Sequence, residues 1–294
     1  MAETLTTSTT LTELVNAELI NASIIEYAHD FVVSAQYMNW MDLRGKAANV
    51  GSFPRWVLDA AEDLANESTD MTSVALETTA VNITGAEIGI FRRITDAAIE
   101  MTTIGAALWD FLVMDSALLC ALSLEDDIVA LFPSLGTSVG TTTVDLTIAN
   151  MVEAQAQIRK NGMRGQIAYI LDDQQASDYQ AAQAAATSTT INSLMSPNVT
   201  GSSDNAYLGT FFNAPVWQTG LCDTANTAAN VVGACIIRGD TNPKTAPFGA
   251  VLCRDVTTEF DRDLPSRATL FGATAKWGVG EVADEGGCKI VTDA

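Results

Sequence analysis

The chain has 294 residues, 48% of them hydrophobic, with 36 acidic side chains against 15 basic ones and a formal charge of −21. That length can bury a sizeable core as one large domain or two, and the apolar fraction excludes bulk disorder. The acidity argues against direct nucleic-acid binding, which needs cationic side chains to displace counterions. It suits solubility, and it suits a wall that faces DNA without adhering to it.

The most apolar stretch, residues 104–122, carries Asp110 and Asp115 and falls short of a membrane span. Met1-Ala2-Glu3-Thr4 has neither a basic nor an apolar signal-peptide region, so the chain is expected to stay where it is made. Cys120, Cys222, Cys235, Cys253 and Cys288 form no C-x-x-C pair. They read as reduced thiols used as small buried hydrophobes, and with His29 as the only histidine a zinc site is disfavoured.

In chain order, residues 1–10 are Thr-rich. Leu11, Leu14, Val15, Leu19, Ile20 and Ile24 then fall near helical spacing and predict an amphipathic segment to about Tyr27. Residues 31–40 are apolar enough for a strand or a packed arm. Residues 51–94 read as a long hairpin. Its outgoing arm is Gly51-Ser52-Phe53-Pro54-Arg55-Trp56, its middle is the acidic stretch 59–70, and its return arm, 72–94, alternates like a strand up to a bulge expected at Gly85. Ordering such residues costs on the order of 1–2 kcal/mol each, and a lone two-stranded ribbon is marginal in water. The hairpin is therefore expected to have no body of its own to fold against and to lie on a neighbouring subunit.

Thr95-Asp96 predicts a helix start. Ile104, Leu108, Phe111, Leu112, Leu119 and Leu122 recur at roughly 3.6 spacing, with Trp109, Val113 and Leu118 widening the apolar surface. A helix apolar on more than one side is buried or covered by neighbours. Phe132-Pro133 and the region 136–140 end it. Asp145 is expected to cap a helix over 146–160, with Asn161-Gly162 as its stop. Residues 167–171 read as a buried strand, Asp172-Asp173 as the start of an Ala/Gln-rich helix to about Ala186, and 187–205 as a polar loop. From Tyr207 onward strands are expected at 231–238, 249–254, 269–277 and 289–291, sharing one α+β body with the helices.

No G-x-S-x-G, P-loop or H-E-x-x-H motif occurs, and His29 stands without a nucleophile motif. Gly278-Val279-Gly280 lacks the third glycine and the helix of a dinucleotide site and reads as a turn between strands. Asp255, Glu259, Asp261 and Asp263 could hold calcium, but the interleaved Arg254, Arg262 and Arg267 favour ion pairs, internal or across an interface. The chain is thus read as no enzyme, with no catalytic residue, cofactor or metal. Its candidate functional residues are those of a subunit interface: Trp40, Phe53, Trp56, Val81, Ile83, Arg92, Arg93, Phe212 and Trp217. Arg92 and Arg93 would either meet a neighbour's acidic loop or lie in a solvated turn.

The order of these segments resembles the major capsid proteins of tailed bacteriophages, whose fold is also seen in encapsulin nanocompartments and herpesvirus capsid floors. The resemblance runs along nearly the whole chain. Residues 1–50 look like that family's N-terminal arm, 51–94 its extended β-hairpin loop, and 95–144 its peripheral domain with the long spine helix. Residues 145–248 look like the axial domain, entered through Arg164-Gly165-Gln166 and continued by Leu208-Gly209-Thr210 and Pro215-Val216-Trp217. Residues 249–294, after Pro247-Phe248-Gly249-Ala250, look like the return strands of both domains.

The resemblance implies an α+β capsid fold and a structural protein that assembles with itself. Its pentamers and hexamers would form an icosahedral shell around double-stranded DNA, made in the host cytoplasm and ending in the virion, with no membrane partner. It also implies portal and decoration proteins as possible partners. Any scaffolding protein is expected to be separate, because Met1 stands close to the arm. Some members link a loop lysine to a neighbour's asparagine. No lysine lies between Lys46 and Lys160, so this hairpin has none to donate. The same shell around enzymes, as in an encapsulin, is the alternative; a soluble oligomeric enzyme ranks below it.

Overall fold

A computed structural model describes residues 32–56, 78–101, 107–185, 195–197, 206–222 and 230–293. The amphipathic segment read at 11–27, His29 and the acidic stretch 59–70 lie outside the described residues. The described chain opens with a 3-10 turn, Ser34–Tyr37, and strand β1 (Asn39–Asp42), where a strand or packed arm was expected. Strands β2 (Val50–Trp56), β3 (Thr78–Thr84) and β4 (Ala86–Thr95) follow.

Helix α1 (Asp96–Met101) begins at the expected Thr95-Asp96 boundary, and α2 (Ala107–Val129) is the long apolar helix. A short 3-10 turn at Phe132–Ser134 and β5 (Ser138–Gly140) end that region. Helix α3 (Ile148–Lys160) is capped by Thr147, not Asp145. Thr147 has the extended backbone of an N-cap, and its hydroxyl accepts the Asn150 N–H at 3.2 Å. The helix stops at Asn161-Gly162 as read, with Gly162 at φ +78°.

Strand β6 (Ile167–Leu171) is buried throughout, and α4 (Asp173–Ala185) starts where Asp172 accepts the Gln174 N–H at 2.9 Å. Within the stretch read as polar loop, β7 (Met195–Pro197) is a strand. It is followed by β8 (Tyr207–Phe211), β9 (Ala214–Gln218) and β10 (Asn230–Ile237). The last strands are β11 (Phe248–Asp263), β12 (Ala268–Glu281) and β13 (Gly287–Asp293). Strand β11 runs far beyond the span read from sequence, and β12 continues four residues past it. Ion pairs of Arg254, Arg262 and Asp263 carry the polar end of β11, so hydrophobic alternation alone understated it.

The strands form two sheets and a ribbon: β1-β11-β12-β4, β5-β13-β10-β6-β9-β8-β7, and β2-β3. In the seven-stranded sheet, β6 and β10 are buried along their whole length, because both faces are covered. On one face, Met151, Ala154 and Ile158 of α3 and Ala176 and Tyr179 of α4 meet Tyr169, Leu171 and Ile237. On the other, Ile128 and Val129 at the end of α2 and Phe132 beyond it meet Ala168, Ile170, Val232 and Phe248. The rest of α2 lies along the four-stranded sheet, with Leu108 and Leu112 on Phe271 and Ala273, and Cys120 on Ala275 and Trp277. One helix therefore spans both cores.

Candidate assembly surface

The return arm of the hairpin divides at Gly85. Residues Thr78–Thr84 pair with β2 from Val50↔Thr84 to Trp56↔Thr78, whereas β4 pairs along its whole length with β12. Hence 86–94 is no part of a projecting loop. The described part of the ribbon also has a body to rest on, contrary to the sequence reading. Phe53 and Ile83, each 5% exposed, pack on Leu43 and Val251 of the same chain, with Val81 partly buried beside them. Arg55 pairs with Glu285, fixing the ribbon to the turn before β13.

Gly278 and Gly280 lie within β12 rather than in a turn, and their position explains the seating of the ribbon. A Cβ on Gly278 would meet the Thr84 backbone oxygen at 2.4 Å, and one on Gly280 would meet Ile83 at 3.1 Å. The missing side chains let β3 cross the sheet at backbone distance. The turn between the long strands is instead the tip at 264–267, where Leu264 is 74% exposed and Arg267 adopts φ +47°.

The arginines expected at an interface are engaged at home. Arg92 donates to Asp115 of α2 at 2.5 Å, and Arg93 pairs with Asp263 of β11. The ion-pair reading of the carboxylate cluster holds at Asp255 and Asp263, which pair with Arg44 and Arg93, whereas Arg254 and Arg262 pair with carboxylates outside the cluster. Arg44 bridges Asp42 at 2.8 Å and Asp255 at 2.7 Å, Arg254 meets Glu87 at 2.5 Å, and Arg262 meets Asp96 at 2.5 Å. The Arg44 hydrogen bond holds the Asp42 carboxyl at about 2. Among the described residues no group of three or more His, Cys, Asp or Glu side chains converges as a metal site, and no helix is long and apolar enough to cross a membrane.

The remaining candidates are scattered over the molecule. Trp40, on β1, is 39% exposed, and its indole N–H donates to the Ala35 carbonyl at 2.7 Å. Trp217, on β9, packs against Tyr207 at 4.9 Å between ring centroids. Phe212 and Asn213, at φ +46° and +65°, make the two-residue turn between β8 and β9, and Phe212 is 42% exposed. Such a backbone is costly for a bulky residue, and the edge-on packing of Phe212 against Phe211 accompanies it. The Trp56 side chain lies outside the described residues.

Sequence reading missed Phe91, Met114, Phe260 and Leu264, all more than half exposed. Arg92 reaches α2, and Ile90 packs against the same cluster as Cys120 of α2, so alternation turns Phe91 to the opposite face. That is the face the ribbon crosses. Phe91 stands there beside Gly272, at which a Cβ would meet open space. The signal was available: the alternation Ile88, Ile90, Arg92, Ile94 leaves Phe91 on the other side.

No protein-family profile matches the sequence, and no curated protein resembles it. Solved structures do resemble the fold. A chain of Mycobacterium phage Che8 is 15% identical with a TM-score of 0.69, covering 93% of this chain and 96% of its own. The capsid of cyanophage P-SCSP1u gives 11%, 0.67, 94% and 93%, and the head of Helicobacter pylori bacteriophage KHP40 gives 11%, 0.62, 99% and 98%. The chain has the α+β fold of these subunits over nearly its full length.

Proposed function

We propose that this chain is a major capsid protein of a tailed bacteriophage, tiling with copies of itself into pentamers and hexamers that close as an icosahedral shell around double-stranded DNA. The observation that carries the reading is the end-to-end likeness to capsid and head subunits. The physical features agree with it. Helix α2 stiffens a body made of two cores, and apolar side chains stand exposed at Phe91, Phe260, Leu264 and Met114. Contacts that are weak one by one add within a closed lattice, so no bond-making chemistry is required. The acidic surface lets packaged DNA slide past without sequence-specific contact.

The test is electron microscopy of the expressed protein together with analysis of what co-purifies. Closed polyhedral shells are expected, alone or with a separate scaffolding protein. Shells filled with enzyme would move the reading to a cargo compartment, and persistent monomers or dimers under all assembly conditions would end it. A second arm deletes residues 58–76 and joins the ribbon with Asn-Gly, a two-residue turn suited to hairpins. The variant subunit should fold normally and fail to close particles. Normal particles would show that residues 58–76 are not needed for assembly.

A further inference from the structure

The register of the seven-stranded sheet sets Cys235 of β10 directly opposite Cys288 of β13. Both thiols are free, both side chains are fully buried, and both belong to the core under α3 and α4. Directly opposed residues of an antiparallel pair stand about 4.5 or 5.5 Å apart at Cα, and a disulfide takes about 4.4–6.8 Å. Both Cα spacings fall inside that range. No other two cysteines among the described residues are strand partners: Cys120 lies on α2, Cys222 after β9, and Cys253 at the irregularity of β11.

The neighbours of the pair explain its present state. Tyr169 of β6 is the partner of Cys235 on its other side. Its hydroxyl donates to the Met151 carbonyl at 2.8 Å. Burial pushes both thiols up, Cys288 to about 12. A protonated, enclosed thiol is inert, so the pair stays reduced in the closed domain inside a reducing cell.

We propose that Cys235 and Cys288 form a latent cross-strand disulfide, closed by exchange with a small-molecule disulfide once the sheet opens transiently in an oxidising medium. In the exchange, the Cys288 thiolate attacks one sulfur of the reagent, forming a mixed disulfide and releasing one small thiol. The Cys235 thiolate then attacks the Cys288 sulfur, forming the protein bond and releasing the second small thiol. The two protein protons end on the released thiols; the protein loses two electrons and the reagent gains them. The position gives the bond a mechanical role. From Cys235 the chain leaves the sheet, forms β11 and β12 in the other sheet, and returns in β13 to Cys288. The bond ties the root of that excursion, closing a long loop in the unfolded chain.

The experiment refolds the full chain with and without glutathione disulfide and maps the peptides by mass spectrometry without reduction. Oxidised protein should lose about 2 Da in one species linking the Cys235 and Cys288 peptides. Its melting temperature should rise by roughly 5–10 °C, and a reducing agent should reverse the rise. C235S should abolish both changes. A variant with serine at Cys120, Cys222 and Cys253 should retain them, with two titratable thiols becoming none. Two thiols still titratable after oxidative refolding, or cross-links spread among the other cysteines of the wild-type chain, would overturn the proposal.

Discussion

Glu125 of α2, fully buried, accepts the backbone N–H of Ser34 at 2.6 Å, so the long helix holds the start of the described chain through a carboxylate that water does not reach. The same side chain takes the Ala35 N–H at 3.2 Å. These are donors at the start of the 3-10 turn, the kind of group a helix leaves without an internal partner. E125A should destabilise the subunit by about 2 kcal/mol, because two buried donors lose their acceptor. E125Q should cost about 1 kcal/mol, since one amide oxygen still accepts. Urea unfolding measures both.

Acidity gives a second reading of the same residue. Burial raises the Glu125 carboxyl above its ordinary 4.5, and the Ser34 hydrogen bond only partly offsets this. Because the folded value is the higher one, the stabilising contribution is fully present below 4.5 and is lost as pH rises through the raised value. The stability of wild type relative to E125Q should therefore grow as pH falls through that window. A difference that stays flat would mean that folding does not shift Glu125.

Gln175 of α4 reaches β10 and β13 at once, its amide donating to the Val231 carbonyl of β10 at 3.4 Å. Its amide donates to the Ile290 carbonyl at 3.1 Å and the Thr292 hydroxyl at 2.9 Å, while its oxygen accepts the Asp172 N–H at 3.4 Å. The side chain is fully buried, so Q175L leaves those groups without replacement partners. A loss of about 2–3 kcal/mol is expected in denaturant unfolding, with faster hydrogen exchange at Thr292 and its neighbours on β13.

The crossing of ribbon and sheet at Gly278 can be tested with a single methyl group. G278A places a Cβ 2.4 Å from the Thr84 carbonyl oxygen, a backbone atom that cannot turn aside. The ribbon must lift, at about 1–3 kcal/mol. Exchange protection should fall at residues 78–84 and hold at β6 and β10. Unchanged protection there would show that the contact is easily relaxed.

Phe91 and Phe53 separate surface from core. F91S removes a side chain that is 58% exposed and should change subunit stability by less than about 0.5 kcal/mol, yet it should reduce the yield of closed particles. F53A empties a site that is 5% exposed and should cost about 3–5 kcal/mol whether or not particles form. Equal loss of stability in both variants would place Phe91 in the subunit's own core.

Much of the architecture was legible because it is local. The apolar spacing from Leu108 to Leu122, the Asp172 cap, the uninterrupted β6 and the Asn161-Gly162 stop each depend on neighbours a few residues away. The interface residues were far less legible. Phe53, Ile83, Arg92 and Arg93 carry the chemistry of interface anchors, and their partners Val251, Asp115 and Asp263 stand far off in the chain. An aromatic or an arginine in a strand-like segment looks the same whether its contact belongs to its own subunit or to a neighbour.

By itself the sequence determined the main helices and the buried strands β6 and β10, the order of segments that resembles the phage capsid subunits, and the acidic charge, since these follow from composition, periodicity and local capping. Only the tertiary structure decided that the return arm splits at Gly85, that β3 rests on glycines of β12, and which side chains remain exposed. Those outcomes depend on register and close approach between strands distant in the chain, where one missing Cβ or one ion pair selects between packings that local pattern treats as equal.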